Sequence, residues 1–286
     1  MKLSLKDPQT GGDLLLIKGE QEFDRFFHGR DRNNKYFTII WNFGDEQLVT
    51  IDGEQTSFLP QTVLPLMFSQ SFQFDNAVDM VAWQFNREFY CIVDHDKEVS
   101  CVGFLFGLGD NLFIKLDKQD QQKLQLLLDV FIEEFNTPDH IRHDMLLMLL
   151  KRLIINITKL ARSKYMPEEK IPEDKFHIVR QFNLLVEGHY RSEHSVSYYA
   201  QRLNKSPKTL SNLFAIYNQK TPVQIIQERI VMEAKRLLSY TSQSVKEVSY
   251  ELGFEDAAYF SNFFKKHTSL SPVDYRNNKQ VLQVGK

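Results

Sequence analysis

Apolar positions change period along this chain, and the change divides it. In the first part they come as short blocks. Tyr36–Trp41, Gln47–Ile51, Thr62–Leu66, Val81–Phe85 and Phe89–Val93 are runs rich in β-branched and aromatic residues, the signature of strands. Gly44 lies within Asn42–Asp45, and Asp52–Gly53 directly follows one run, as hairpin turns require. Many short strands so punctuated predict a barrel or a sandwich. Near Asp117 the spacing becomes helical. Leu124, Leu127, Leu128, Phe131, Ile132 and Phe135 define one helix ending at Asn136–Thr137–Pro138. Asp139 is placed to cap a second, along which Met145, Leu146, Leu149, Leu150, Leu153, Ile154, Ile157 and Leu160 form a wide apolar face. One side of that face can cover the β region; the surplus invites a partner helix, most economically from a second copy of the chain. Ala161–Lys175 is charged, carries Pro167 and Pro172 and lacks periodicity, which is linker composition.

The last third contains an internal repeat with an offset of 50 residues: Leu210-Ser211-Asn212-Leu213-Phe214 returns as Phe260-Ser261-Asn262-Phe263-Phe264. Each copy is followed by a hydroxyl residue and a proline, Thr221-Pro222 and Ser271-Pro272, a cap with proline at the first helical position. Each copy is preceded by a helix and a tight turn. Ser195 caps Val196–Leu203 before Asn204; Ser244 and Glu247 form a capping box for a helix reaching Leu252 before Gly253. Asn and Gly tolerate the left-handed conformation that reverses a chain at a helix end. Ser206-Pro207 and Asp256 then open new helices. The pattern is helix–turn–helix, twice. Between the copies, Pro222–Ser239 has no breaker and carries Ile225, Ile226, Ile230, Ala234, Leu237 and Leu238 at helical spacing. Such a helix, about 27 Å long, can hold two recognition helices roughly one DNA turn apart, about 34 Å.

Charge sharpens this picture. The net charge of −2 over 286 residues hides an asymmetry. Phe176–Lys286 holds 15 Lys/Arg against 9 Asp/Glu, a balance of +6, leaving −8 for the rest. An acidic body with a basic tail suits a chain whose tail meets a polyanion. Composition, at 42% hydrophobic and 25% charged residues, is that of folded globular domains, and the length suits two of them. No apolar run is long enough for a membrane span, and the N-terminus has no signal-peptide core, so the expected location is cytoplasmic. Cys91 and Cys101 read as reduced, buried thiols.

Ser192–Arg276 resembles the DNA-binding domain of AraC/XylS-type transcription regulators. The most specific stretch is VKEVSYELGFEDAAYFSNFFKKHTSLSPVDYR, in which Gly253, Phe254, Tyr259, Phe260, Phe264, Lys265, Lys266, Pro272 and Arg276 fall on the family pattern. The resemblance implies that outward side chains of the second helix of each unit reach base edges: Lys208, Ser211 and Asn212 in the first, Ala257, Ala258, Tyr259 and Asn262 in the second. Their chemistry suits the task, since Asn can pair with adenine, Lys can meet guanine acceptors and an Ala methyl can touch that of thymine. Lys265 and Lys266, with Arg202, Lys205 and Lys246, suit phosphate contacts. Leu210, Leu213, Phe214, Phe260, Phe263 and Phe264 read as core. The family often adds an N-terminal cupin-like domain and a helical dimerisation element. The expected fold is therefore α+β: a cupin-like β-barrel sensor domain at 1–116, a helical dimerisation hairpin at 117–164, a linker at 165–176 and an all-α double helix-turn-helix domain at 177–286.

Catalysis is not expected. A metal-dependent cupin would commonly need two His one residue apart, and the eight histidines (His28, His95, His140, His143, His177, His189, His194 and His267) include no such pair. No nucleophile elbow or phosphate-binding glycine loop occurs, so no catalytic residue, metal or cofactor is assigned. Trp41, Phe43, Trp83 and Phe85 read as core before they read as pocket lining. The expected function is sequence-specific transcription regulation, as activator or repressor. Double-stranded DNA is the expected partner, with a homodimer, RNA polymerase contact and a small-molecule effector as further expectations. An enzyme or an architectural protein with an appended DNA-binding module is the alternative.

Overall fold

The computed structural model describes residues 1–27, 30–31, 35–91, 105, 111–165, 173–217 and 220–277. The chain divides into two compact units, one formed by Met1–Phe106 with Asp110–Glu169, the other chiefly by Lys170–Lys286.

The first unit is built on strands β1 (Lys2–Lys6), β2 (Asp13–Lys18), β3 (Phe37–Asn42), β4 (Gln47–Ile51), β5 (Glu54–Phe58), β6 (Thr62–Leu66), β7 (Phe72–Phe74), β8 (Met80–Phe85) and β9 (Ile114–Lys115). They form a six-stranded sheet in the order β1-β2-β8-β3-β6-β9 and a three-stranded sheet in the order β5-β4-β7. Every pairing is antiparallel. The central strands β2, β3, β6 and β8 are buried almost throughout, because both faces of the large sheet are covered. Such strands read as continuous apolar runs rather than alternations. On one face Leu15, Ile17, Ile40, Leu64 and Ala82 share a core with Val49, Ile51, Phe58, Phe72 and Phe74 of the smaller sheet. On the other lie Leu16, Ile39, Trp41 and Trp83, with the Trp83 ring 6.0 Å from Phe131 of helix α1 (Lys118–Asn136). Helix α2 (Arg142–Tyr165) packs beside α1.

Three expectations need correction here. Among the described residues the strands do not close into a barrel: β1 and β9 are the outer strands of an open sheet. At one edge, β1 alternates exposed Lys2, Ser4 and Lys6 with half-buried leucines, the charged pattern by which an edge refuses further pairing. The strand expected at Phe89–Val93 is absent at its start, where Phe89 sits in a turn hydrogen-bonded through its N–H to Asn86 Oδ1 at 2.9 Å; Val93, like Cys101, His28 and His95, lies outside the described residues. The stretch expected to be linker, 165–176, is entered from its far side by helix α3 (Glu173–His189).

Caps follow the sequence. Asp117 accepts from the Asp120 N–H at the start of α1. Leu146, Leu150, Leu153, Ile154 and Ile157 of α2 are buried, whereas Met145, Met148, Leu126 and Val130 stay exposed, Leu126 and Met148 at 66% each.

The second unit continues from α3 with α4 (Val196–Arg202), α5 (Pro207–Tyr217), α6 (Pro222–Tyr240), α7 (Val245–Glu251), α8 (Ala257–Thr268) and a last helical turn at 272–277. A single core joins them, from Phe182 and Val186 of α3 through Phe214, Ile226, Ile230 and Leu238 to Val248, Phe260 and Phe264. The 19-residue α6, about 28 Å long, is the spine on which both helix pairs rest.

Candidate nucleic-acid interface

The first helix pair is shaped by local hydrogen bonds. Ser195 Oγ accepts from the Tyr198 N–H and starts α4. Asn204 adopts a left-handed φ of 52° and turns the chain, and the Lys205 N–H then reaches back to the Ala200 carbonyl at 2.9 Å. Ser206 Oγ accepts from the Thr209 N–H at 3.0 Å as α5 begins. Leu210, Leu213 and Phe214 turn inward and are buried, while Lys208, Ser211 and Asn212 stand exposed on the opposite side.

The second pair repeats this with different residues. Ser244 and Glu247 form the complete capping box of α7. Gly253 makes the turn at a φ of +75°. Asp256 accepts from the N–H groups of Ala258 and Tyr259 to start α8. Phe260 and Phe264 are fully buried; Ala258, Tyr259 and Asn262 are exposed. Tyr259 is 66% exposed although its ring centroid lies 5.9 Å from that of Phe254, so its hydroxyl faces water rather than the core. Ala257 is only half-buried, and Ser261 Oγ is turned back on the Ala257 carbonyl at 2.8 Å.

Cations surround these faces. Arg202, Lys205, Lys246, Lys265 and Lys266 are all exposed. The Arg202 guanidinium lies 5.2 Å from the Tyr198 ring centroid, and the Lys246 ammonium 5.8 Å from that of Tyr250. Each first helix thus carries a cation over an aromatic ring one turn away. Beside Lys265 and Lys266, His267 packs on Phe263 with ring centroids 4.7 Å apart. Burial and the Lys266 charge hold its imidazole below the ordinary histidine range.

Sequence reasoning missed the ionic cluster beneath the helix pairs. Arg229 places Nε 3.1 Å from Glu187 Oε2 and Nη1 3.1 Å from Glu233 Oε2, and its guanidinium lies 3.9 Å from the Tyr190 ring centroid. Glu233 also meets Arg236 at 3.4 Å and Arg191 at 2.9 Å. Burial would raise the Glu233 carboxyl, but Arg229, Arg236 and Arg191 outweigh it and bring it down to about 2. A signal was present: Arg229, Glu233 and Arg236 fall at helical spacing within the apolar stripe of α6, where isolated charges would not survive unpaired. Among the described residues, no group of three His, Cys, Asp or Glu is arranged to hold a metal ion.

Residues 199–278 match the family model described as "Helix-turn-helix domain". Among curated proteins, the HTH-type transcriptional activator RhaS of Enterobacter sp. (strain 638) is 26% identical over 161 residues, 56% of this chain and 55% of its own length. The uncharacterized HTH-type transcriptional regulator YisR of Bacillus subtilis (strain 168) is 26% identical over 155 residues, 54% of this chain and 50% of its own. The chain thus spans about half the length of the curated relatives it matches. Among solved structures, the C-terminal domain of the two-component response regulator yesN from Fusobacterium nucleatum is 27% identical. That match covers 33% of this chain and 93% of that one at a TM-score of 0.32, too low to carry weight.

Proposed function

We propose that this chain, a member of the AraC/XylS family of transcription regulators, binds a specific DNA site through both helix pairs of its C-terminal unit and regulates transcription there. The observation that carries the reading is the doubled, separately capped helix–turn–helix on one spine, each second helix burying its aromatic side and presenting short polar side chains to solvent. Lys208, Ser211 and Asn212 read one groove segment, and Ala257, Ala258, Tyr259 and Asn262 the next. Arg202, Lys205, Lys246, Lys265 and Lys266 anchor the protein to phosphates and confer salt dependence. The matched domain is a helix-turn-helix, and the two curated relatives carry the names of an HTH-type transcriptional activator and an HTH-type transcriptional regulator.

The remaining roles follow the order of the chain. The β region, 1–116, acts as a sensor or interaction module, and the α1–α2 hairpin, 117–164, pairs two copies. Exposed Leu126 and Val130 on α1 and Met145 and Met148 on α2 support the pairing, since exposed apolar side chains are what association buries. The segment before α3 connects this assembly to the DNA-binding part, which opens with that helix at Glu173. Contacts with RNA polymerase and a small-molecule effector complete the proposal. No helix among the described residues is long and apolar enough to cross a membrane, in keeping with a cytoplasmic site of action.

Genomic DNA selection with the purified full-length protein, followed by a salt-series gel shift on the enriched fragment, tests this reading. A discrete motif with two contact patches per protomer is the expected result. Equal affinity for enriched and random DNA would overturn sequence-specific regulation.

A further inference from the structure

We infer that the loop between α3 and α4, residues 190–195, is a positioning latch that locks the second helix pair onto the spine and so sets the spacing of the two DNA-reading surfaces. The inference rests on the reading of this unit as DNA-binding. It begins with one close approach. A Cβ built on Gly253 would lie 2.1 Å from the carbonyl oxygen of Arg191 and 3.3 Å from the Ser192 Cα, far inside contact distance. The turn of the second pair is therefore seated directly on the backbone that leads into the first.

Side chains of the same loop hold that seat from both directions. Arg191 reaches Glu233 of α6 at 2.9 Å with one nitrogen and Glu251 of α7 at 3.3 Å with another. A planar guanidinium can bridge two carboxylates on different helices, where an ammonium would act as one point charge. Its Nε donates to the Tyr190 hydroxyl at 3.0 Å, and the Tyr190 ring faces Arg229 of the spine. The His194 ring lies 4.8 Å from that of Phe254, the residue after the turn, and the Tyr199 hydroxyl donates to the Glu193 carbonyl at 2.6 Å. The loop thus touches α4, α6, α7 and the second turn. Local caps shape each helix pair separately, and nothing in them relates one pair to the other. Cross-element bonds through Arg191 do.

A latch of this kind acts on geometry rather than on contact with DNA. Replacing Arg191 or Glu251 should leave each reading surface intact while loosening the angle between them. The test uses the full-length chain, its Arg191→Gln and Glu251→Gln variants and the double variant. The probes are the genomic fragment enriched by the wild-type protein, versions with one or two base pairs inserted between its contact patches, a rotation of roughly 35–70°, and a duplex retaining only the patch of the first helix pair. The wild-type protein should lose about tenfold in affinity on insertion and each variant about threefold or less, with half-site affinity unchanged. The double variant should match Arg191→Gln, because the Arg191–Glu251 contact is already lost in that single variant. An insertion penalty in the variants equal to that of the wild type would overturn the latch. Amide exchange gives a reading that needs no DNA site. In Arg191→Gln the Gly253 and Phe254 amides should exchange about tenfold faster while the Leu203 and Lys205 amides stay unchanged. Unchanged exchange at Gly253 and Phe254 would equally overturn it. Absence of any enriched fragment, with the exchange change present, would instead count against the DNA-binding reading alone.

Discussion

The two helix pairs of the C-terminal unit solve one geometric problem with different residues. Both reverse the chain through a left-handed residue after a seven-residue helix, Asn204 in the first and Gly253 in the second. Asn tolerates that conformation when its side chain has room, and Asn204 is exposed. Gly253 has no room, because the Arg191 carbonyl occupies the space of a Cβ. The first turn is thus chosen by local backbone preference, the second by tertiary contact as well. Similar helical patterns need not imply interchangeable residues.

Removing what the pairs share should have the largest effect. Glu233→Ala takes away the acid at the centre of three arginine contacts and should cost about 3–5 kcal/mol of stability, since it strands buried charge; urea unfolding of the full chain reads it. Acid titration probes the same group. The folded-state carboxyl is depressed, so its contribution is fully present above the ordinary glutamate value of 4.5 and disappears as pH falls toward about 2. The helical signal of the wild-type protein should accordingly lose urea resistance across that window, and Glu233→Gln should flatten the loss.

Exchanging the turns comes next. Gly253→Ala should destabilise by about 2–5 kcal/mol, combining left-handed strain with a forced backbone shift, whereas Asn204→Gly should change stability by less than about 1 kcal/mol. Equal costs in thermal unfolding would erase the distinction between the turns. Smaller effects separate the two proposed reading surfaces. Asn212→Ala and Asn262→Ala should each weaken binding to the selected site by about 1–3 kcal/mol with little change on random DNA. Footprinting should show the weakened protection in different patches. Lys265→Ala should weaken specific and random binding alike and lower the salt slope by about one unit.

Legibility in the sequence followed how local each signal was. Ser195, Thr221, Ser244 and Asp256 accept hydrogen bonds from N–H groups two or three residues away, so their roles could be read from spacing. The strands Gln47–Ile51 and Thr62–Leu66 were legible for the same reason, as apolar runs between turn residues. Strand β1 was missed because an edge exposes half its side chains, and β7 because three residues make too short a pattern. The Arg229–Glu233–Arg236 cluster was missed because its further partners, Glu187 and Tyr190 of the distant α3 and the loop after it, are brought to Arg229 only by packing.

By itself, then, the sequence determined the caps and turns of the two helix pairs and the inward or outward sense of each second helix, because those depend on periodicity and on hydrogen bonds between near neighbours. Tertiary structure alone decided that the described strands form an open pair of sheets, that the Arg191 carbonyl occupies the space of a Cβ at Gly253, and that Arg191 joins two helices. These features arise where segments distant in sequence meet, and their partners are selected by packing in three dimensions.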